Sequence, residues 1–246
     1  MQPKIEILAD KSALVERGLT LVVEAIRQAI AERGYCTLAL AGGSTPKPLY
    51  EALAKQDLPW DKLYIFWGDE RYVSVDHPDS NAGMAKTAWL DRVAIPPEQI
   101  FIVPTEAAEP GIAAEQYEAT LVDCFKALDS SADNPAALRI DIVLLGMGDD
   151  GHTASLFPGT AALKVSDRWV TVGYKANDPR ITVTAPLINR SRTVIFLVAG
   201  ANKQGALSQV LAETGEDSSY PARLIRPDGD LIWLLDQAAG AVVNNS

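Results

Sequence analysis

The sequence predicts an α/β fold: a single domain over residues 1–246, built on a mostly parallel, Rossmann-like sheet with helices on both faces. Three observations carry this. Short, nearly unbroken apolar runs recur at CTLALA, LYIFW, IVLL and TVIFLV, and strands so continuously apolar are covered on both faces, as parallel strands are. These runs end in glycine-rich or acidic turns, most followed by a helical pattern, which is the alternation of an open α/β sheet. No linker, low-complexity tract or internal repeat divides the chain.

The elements follow in order. Lys4 to Leu8 reads as a strand. From Asp10 or Ser12, the apolar residues Leu14, Val15, Leu19, Val22, Val23, Ile26 and Ile30 recur at helical spacing until Gly34 stops them. The run ending at Ala41 is a strand, and AGGSTPKP turns it into a helix that Thr45 is placed to cap, with Pro46 and Pro48 in its first turn. The next strand is LYIFW, after which Asp69, Glu70 and Arg71 leave together and a helix starts near Asn81. IVLL runs into GMGDDGHTASLFPG, and Pro158 and Gly159 end any helix there within two turns of His152. WVTVGY, RITVTA and DLIWLLD read as further strands, and TVIFLV leads into a helix opened by Lys203. EDSSYP and DSSADNP read as surface loops.

Composition narrows the function. A formal net charge of −10 provides no basic field for nucleic acid or an anionic membrane, while leaving room for a small anion gripped by a few local cations. Lys4, Glu6 and Asp10 interrupt the opening segment, and no apolar run approaches the roughly eighteen residues of a membrane span. The expected setting is the cytoplasm, and the expected state a monomer or weak homo-oligomer. Cys36 and Cys124 stand in apolar surroundings without C-x-x-C spacing and read as buried thiols.

In an open α/β sheet, ligands bind at the carboxyl ends of the strands. Three such ends carry chemistry. At Gly43, Ser44 and Thr45, free N–H groups and two hydroxyls gather where a helix begins, a geometry suited to a phosphate monoester. No Gly-Lys-Ser/Thr follows, so this is not a nucleotide-hydrolysing loop. At the second end stand Asp69, Glu70 and Arg71. At the third, Gly146, Gly148 and Gly151 satisfy G-x-G-x-x-G, yet the missing helix and the lack of a strand-ending acid about twenty residues on reject a dinucleotide. Those glycines instead aim Asp150 and His152 at a ligand.

His152 has no H-x-x-x-H or H-x-x-E-H partner, and His77, the other histidine, lies in a loop rich in Pro and Asp, so a metal site is not expected. No G-x-S-x-G elbow offers a serine nucleophile. His152 is left as a base acting on water or on a substrate hydroxyl. Arg180, opening RITVTA, and Lys203 are the cations available to an anion.

AGGSTP, WGDERYV followed by HPDSN, GMGDDGHTASLFPG and RITVTAPLINRSRTVIFLVAG stand in order from Ala41 to Gly200 and together resemble the family of glucosamine-6-phosphate isomerases and 6-phosphogluconolactonases, on its lactonase side. The resemblance implies hydrolysis of a phosphosugar lactone, 6-phospho-D-glucono-1,5-lactone, to 6-phospho-D-gluconate in the oxidative pentose phosphate pathway, without metal or organic cofactor. It implies His152 as general base, Asp150 and Asp69 as active-site acids, and Arg71, Arg180, Lys203, Ser44 and Thr45, beside the Gly43 turn, as groups holding phosphate or sugar hydroxyls. It also implies a choice of substrate: the deaminases of the family carry a glutamate five residues past the histidine to help open a sugar ring, and here that position is Phe157. The alternatives are a sugar-phosphate isomerase or deaminase and a non-catalytic sugar-phosphate-binding module on the same fold; such a regulator would carry a basic DNA-binding helix, and none is read before Lys4 or after Asp236. The oxyanion of lactone hydrolysis has three candidate partners, the N–H groups near Gly148, those near Gly43, or a nearby cation.

Overall fold

Strand β2 (Cys36–Leu40) and strand β5 (Ile142–Leu145) lie side by side and parallel inside a six-stranded sheet. The computed structural model describes residues 3–128 and 139–243, so the DSSADNP segment lies outside the described residues. The sheet order is β1-β9-β8-β5-β2-β3, with β1 at Lys4–Leu8, β3 at Leu63–Trp67, β8 at Thr193–Val198 and β9 at Asp230–Asp236. Every pairing in it is parallel. Both β2 and β5 are buried at every residue, as their unbroken apolar runs require.

Helix α1 (Lys11–Arg33) begins where the Asp10 carboxylate accepts the Ala13 N–H and ends at Gly34, whose φ of 82° turns its N–H back to the Ile30 carbonyl. It buries Leu14, Val22, Val23 and Ile26. Helices α2 (Lys47–Leu53), α3 (Asn81–Ala88) and α4 (Pro110–Leu128) follow, then the short α5 (Ala185–Asn189), α6 (Gln204–Val210) and α7 (Gln237–Gly240). One continuous hydrophobic cluster joins them to the sheet. Among the described residues, no helix is long and apolar enough to cross a membrane. Cys36 and Cys124 are both buried free thiols.

Two local readings are corrected. Helix α2 starts from Pro46 and takes no side-chain cap, so the Thr45 hydroxyl is not spent on the helix. Asp69–Arg71 do not merely leave β3 together: they form strand β4, which pairs antiparallel with β7 (Asp178–Val183), and β7 pairs antiparallel with β6 (Val170–Lys175). The chain changes sheets at Gly68, whose N–H donates to the Leu40 carbonyl of the large sheet at 2.9 Å and whose carbonyl accepts the Val183 N–H of the small one at 2.9 Å. WVTVGY and RITVTA thus belong to a separate three-stranded antiparallel sheet beside the parallel one.

The topology fixes the place for chemistry. From β2 the chain moves outward to β3, whereas from β5 it moves the other way to β8 and β9. The crevice beyond the carboxyl ends of β2 and β5 is the point where the strand order reverses.

Candidate active site

That crevice is a cavity of about 490 Å³. Three of its walls were legible: the Gly43-Ser44-Thr45 turn after β2, the Gly146–His152 turn after β5, and Lys203 beyond β8. The small sheet supplies a fourth wall with Asp69, Arg71, Lys175 and Arg180. Gly43, Ser44, Thr45, Asp69, Arg71, His152, Arg180 and Lys203 line the cavity, whereas Asp150, which meets the His152 ring, and Glu70 do not.

His152 Nδ1 lies 2.5 Å from Asp150 Oδ1, and the same oxygen accepts the His152 backbone N–H at 3.0 Å. Burial pushes the Asp150 carboxyl up, but the hydrogen bonds from the His152 backbone and ring outweigh it and hold the pKa below the usual aspartate value. An ionised Asp150 only accepts, so Nδ1 carries the proton and Nε2 is the ring's free nitrogen. Gly148 makes the arrangement possible: a Cβ there would overlap both His152 Nδ1 and Asp150 Oδ1. On its other side the imidazole packs against Phe157, with ring centroids 4.5 Å apart.

The Gly43, Ser44 and Thr45 N–H groups meet no protein acceptor among the described residues. The Gly148 N–H is different, since it donates to the His152 carbonyl at 2.8 Å. Of the candidate oxyanion partners, the Gly148 N–H is therefore already taken.

Arg71 and Arg180 are direct cross-strand partners on β4 and β7, which sets two guanidinium groups on one face of the small sheet. Desolvation lowers the Arg180 pKa, and the Arg71 charge lowers it further. The Nε of each is buried without a hydrogen-bond partner among the described residues. Arg71 donates to the Asp79 carbonyl, and Arg180 lies over the Phe157 ring, 5.8 Å from its centroid. Like charges set this close favour an anion between them. Lys203 is placed by the turn after β8, where the Asp236 carboxylate holds the Gly200 N–H at 3.0 and 3.1 Å and the Lys203 N–H returns to the Gly200 carbonyl at 3.1 Å.

Asp69 is 8% exposed and faces the cavity, with Ser155 Oγ donating to its Oδ2 at 2.6 Å. Glu70 turns the other way. Its carboxylate accepts the N–H groups of Arg71, Asn81 and Ala82 and the Ser80 hydroxyl, so it caps α3 rather than meeting a ligand. Burial raises its pKa against those hydrogen bonds. Asn81, Lys175 and Asn202 line the cavity without having been singled out as candidates. The advance signals were the DSN triplet that runs into α3 and the position of Lys175 at a strand end. Among the described residues, no group of three or more His, Cys, Asp or Glu side chains is placed to hold a metal.

The family model described as "Glucosamine-6-phosphate isomerases/6-phosphogluconolactonase" matches residues 9–233. The chain belongs to this family. Among its glucosamine-6-phosphate isomerase/6-phosphogluconolactonase relatives, the chain is 57% identical over 240 residues to the 6-phosphogluconolactonase of Synechocystis sp., with 98% of each covered. It is 56% identical over 241 residues to that of Nostoc sp., again with 98% of each covered. Among solved structures it resembles the 6-phosphogluconolactonase from Trypanosoma cruzi, with a TM-score of 0.86 at 30% identity over 98% of this chain and 96% of that one. The Leishmania guyanensis enzyme gives a TM-score of 0.85 at 29% identity, covering 98% of both chains. The family fold therefore extends over nearly the whole chain, the small antiparallel sheet included.

Proposed function

We propose that the chain is a 6-phosphogluconolactonase, hydrolysing 6-phospho-D-glucono-1,5-lactone to 6-phospho-D-gluconate in the pentose phosphate pathway. The observation that carries this reading is a single cavity with an Asp150-held His152 on one wall and the Arg71–Arg180 pair with Lys203 and the Gly43–Thr45 turn on the others. A phosphorylated lactone needs one anion grip and one base, and the near-full-length relatives carry the lactonase name.

In this reading His152 Nε2 takes a proton from water as the water oxygen bonds to the lactone carbonyl carbon. The carbonyl electrons pass to the oxygen, making a tetrahedral oxyanion for which the free N–H groups of the Gly43 turn and the cavity cations are the remaining partners. Collapse breaks the bond to the ring oxygen, which takes the proton back from His152, and the acid product then ionises. Asp150 holds the imidazolium in place throughout. No redox change or amine departure enters, so neither a metal nor an organic cofactor is required.

Phe157 separates this reading from a deaminase. The residue packed against His152 is an aromatic ring, which can neither donate nor accept a proton during sugar-ring opening. The deciding experiment offers fresh 6-phosphogluconolactone and glucosamine 6-phosphate in parallel, following acid and ammonia release. Acid release above the spontaneous rate is expected, and ammonia release without lactonase activity would reverse the assignment.

A further inference from the structure

We propose that Ser155 is a positioning residue for this reaction, locking Asp69 toward the cavity and tying it to the loop that carries His152; this rests on the lactonase reading and on Asp69 acting within it. Cross-strand partners put their side chains on the same face of a sheet, so Asp69, Thr182 and Thr171 form one row and Arg71, Arg180 and Gly173 the next. The segment after His152 lies across these two rows. Gly173 admits it, because a Cβ at that position would overlap the Ser155 carbonyl oxygen. Ala154 turns the chain there with a φ of 47°, a conformation that costs a non-glycine residue and persists only where its surroundings enforce it.

Ser155 is held through both its backbone and its hydroxyl. Its N–H donates to Thr182 Oγ1 at 3.1 Å, and Thr182 Oγ1 donates its own proton to the Val183 carbonyl at 3.0 Å. The Ser155 hydroxyl separately donates to Asp69 Oδ2 at 2.6 Å. Among the described residues the other oxygen, Oδ1, meets just Asn81 Nδ2, at 3.5 Å, which leaves it for a ligand. Ser155 is fully buried and absent from the cavity wall, so it acts through Asp69 and touches no substrate.

The test compares Ser155→Ala, Asp69→Asn and the double variant by acid release from 6-phosphogluconolactone. Ser155→Ala is expected to lower kcat about tenfold or more, with KM moving less than about threefold. The double variant should be no slower than Asp69→Asn alone, because the hydroxyl then has no carboxylate to hold. Ser155→Cys, whose thiol is a weak donor, should fall between Ser155→Ala and the parent, and it carries the test if the alanine variant does not fold. Losses that simply multiply in the double variant, or turnover in Ser155→Ala within twofold of the parent, overturn the proposal. A slow Asp69→Asn beside a normal Ser155→Ala sinks only the role of Ser155. Full turnover in Asp69→Asn removes Asp69 from the mechanism and Ser155 with it.

Discussion

The imidazole of His152 and the carboxylate of Asp150 share one oxygen: Asp150 Oδ1 meets Nδ1 at 2.5 Å and the histidine's own backbone N–H at 3.0 Å. Ring and backbone are thus oriented by one acceptor two residues upstream. His152→Ala should lower turnover by about a hundred- to ten-thousandfold, the usual contribution of a general base. Asp150→Asn keeps the shape but removes the charge that fixes the proton on Nδ1, and should cost about ten- to a thousandfold. Both should still bind 6-phosphogluconate, measurable by calorimetry, because the groups proposed to grip the anion lie on other walls. Near-normal turnover in folded His152→Ala would take the base away from this residue.

Gly148→Ala tests the same pair without substituting either residue. The added methyl would overlap both interacting atoms, so the imidazole or the carboxylate must move. A misplacement of about 1 Å can cost on the order of a hundredfold, and a fall in kcat of at least tenfold is expected with product binding retained. Parent-like kcat would show that the dyad tolerates displacement.

Arg71 and Arg180 answer a different question. As cross-strand partners with little protein company, they should grip phosphate, and hydrogen bonds to a charged group contribute roughly 1.5–3 kcal/mol each. Arg180→Ala and Arg71→Ala should each raise KM for the phosphorylated lactone about ten- to a hundredfold with a smaller effect on kcat. Gluconolactone, lacking phosphate, should be a poor substrate for the parent and no worse for the variants. Equal impairment of both lactones would move the arginines to the reacting carbonyl or to the fold.

The parallel sheet was legible because β2, β5 and β8 are buried on both faces and spell that out in unbroken apolar runs. The strand-end rule then led to His152, Asp150, the Gly43 turn and Lys203 without any tertiary information. Two strands of the small sheet, β6 and β7, were legible as WVTVGY and RITVTA, but their separation from the parallel sheet was not, since β4 is three charged residues long and joins them where Gly68 bonds to one sheet on each side. With β4 hidden, the facing of Arg71 and Arg180 was hidden too. Glu70 looked like its neighbours Asp69 and Arg71, although alternation along β4 turns it away from the cavity toward the start of α3. Ser155 gave no signal because its partner lies 86 residues away in sequence.

Glu70 should matter to stability rather than to turnover. Its two oxygens face only donors, so Glu70→Gln sets an NH₂ group against N–H groups or the Ser80 hydroxyl and leaves α3 partly uncapped. Unsatisfied buried donors cost about 1–3 kcal/mol each, so a loss of about 2–3 kcal/mol is expected. For a chain of this length that lowers Tm by roughly 4–12 °C. Thermal unfolding decides the matter, and an unchanged Tm would mean that α3 does not depend on this carboxylate.

The pH dependence of stability should carry a contribution from Glu6, at the sheet edge where β1 meets α1. Arg17 donates to it through Nε at 2.6 Å and Nη2 at 2.9 Å, and these bonds, with help from Lys4, lower its pKa from 4.5 to about 2 against the opposing effect of burial. Because the folded value is depressed, the stabilisation is fully present above the unfolded pKa. As pH falls below 4.5 the unfolded chain binds a proton that the folded one refuses, and the contribution drains away until about pH 2. Glu6→Gln removes the titration, so its Tm should lie below that of the parent at neutral pH and fall less steeply across this window. Parallel Tm curves for the two proteins from pH 5 down to the acid transition would show that the Glu6–Arg17 pair contributes nothing to the acid sensitivity of the fold.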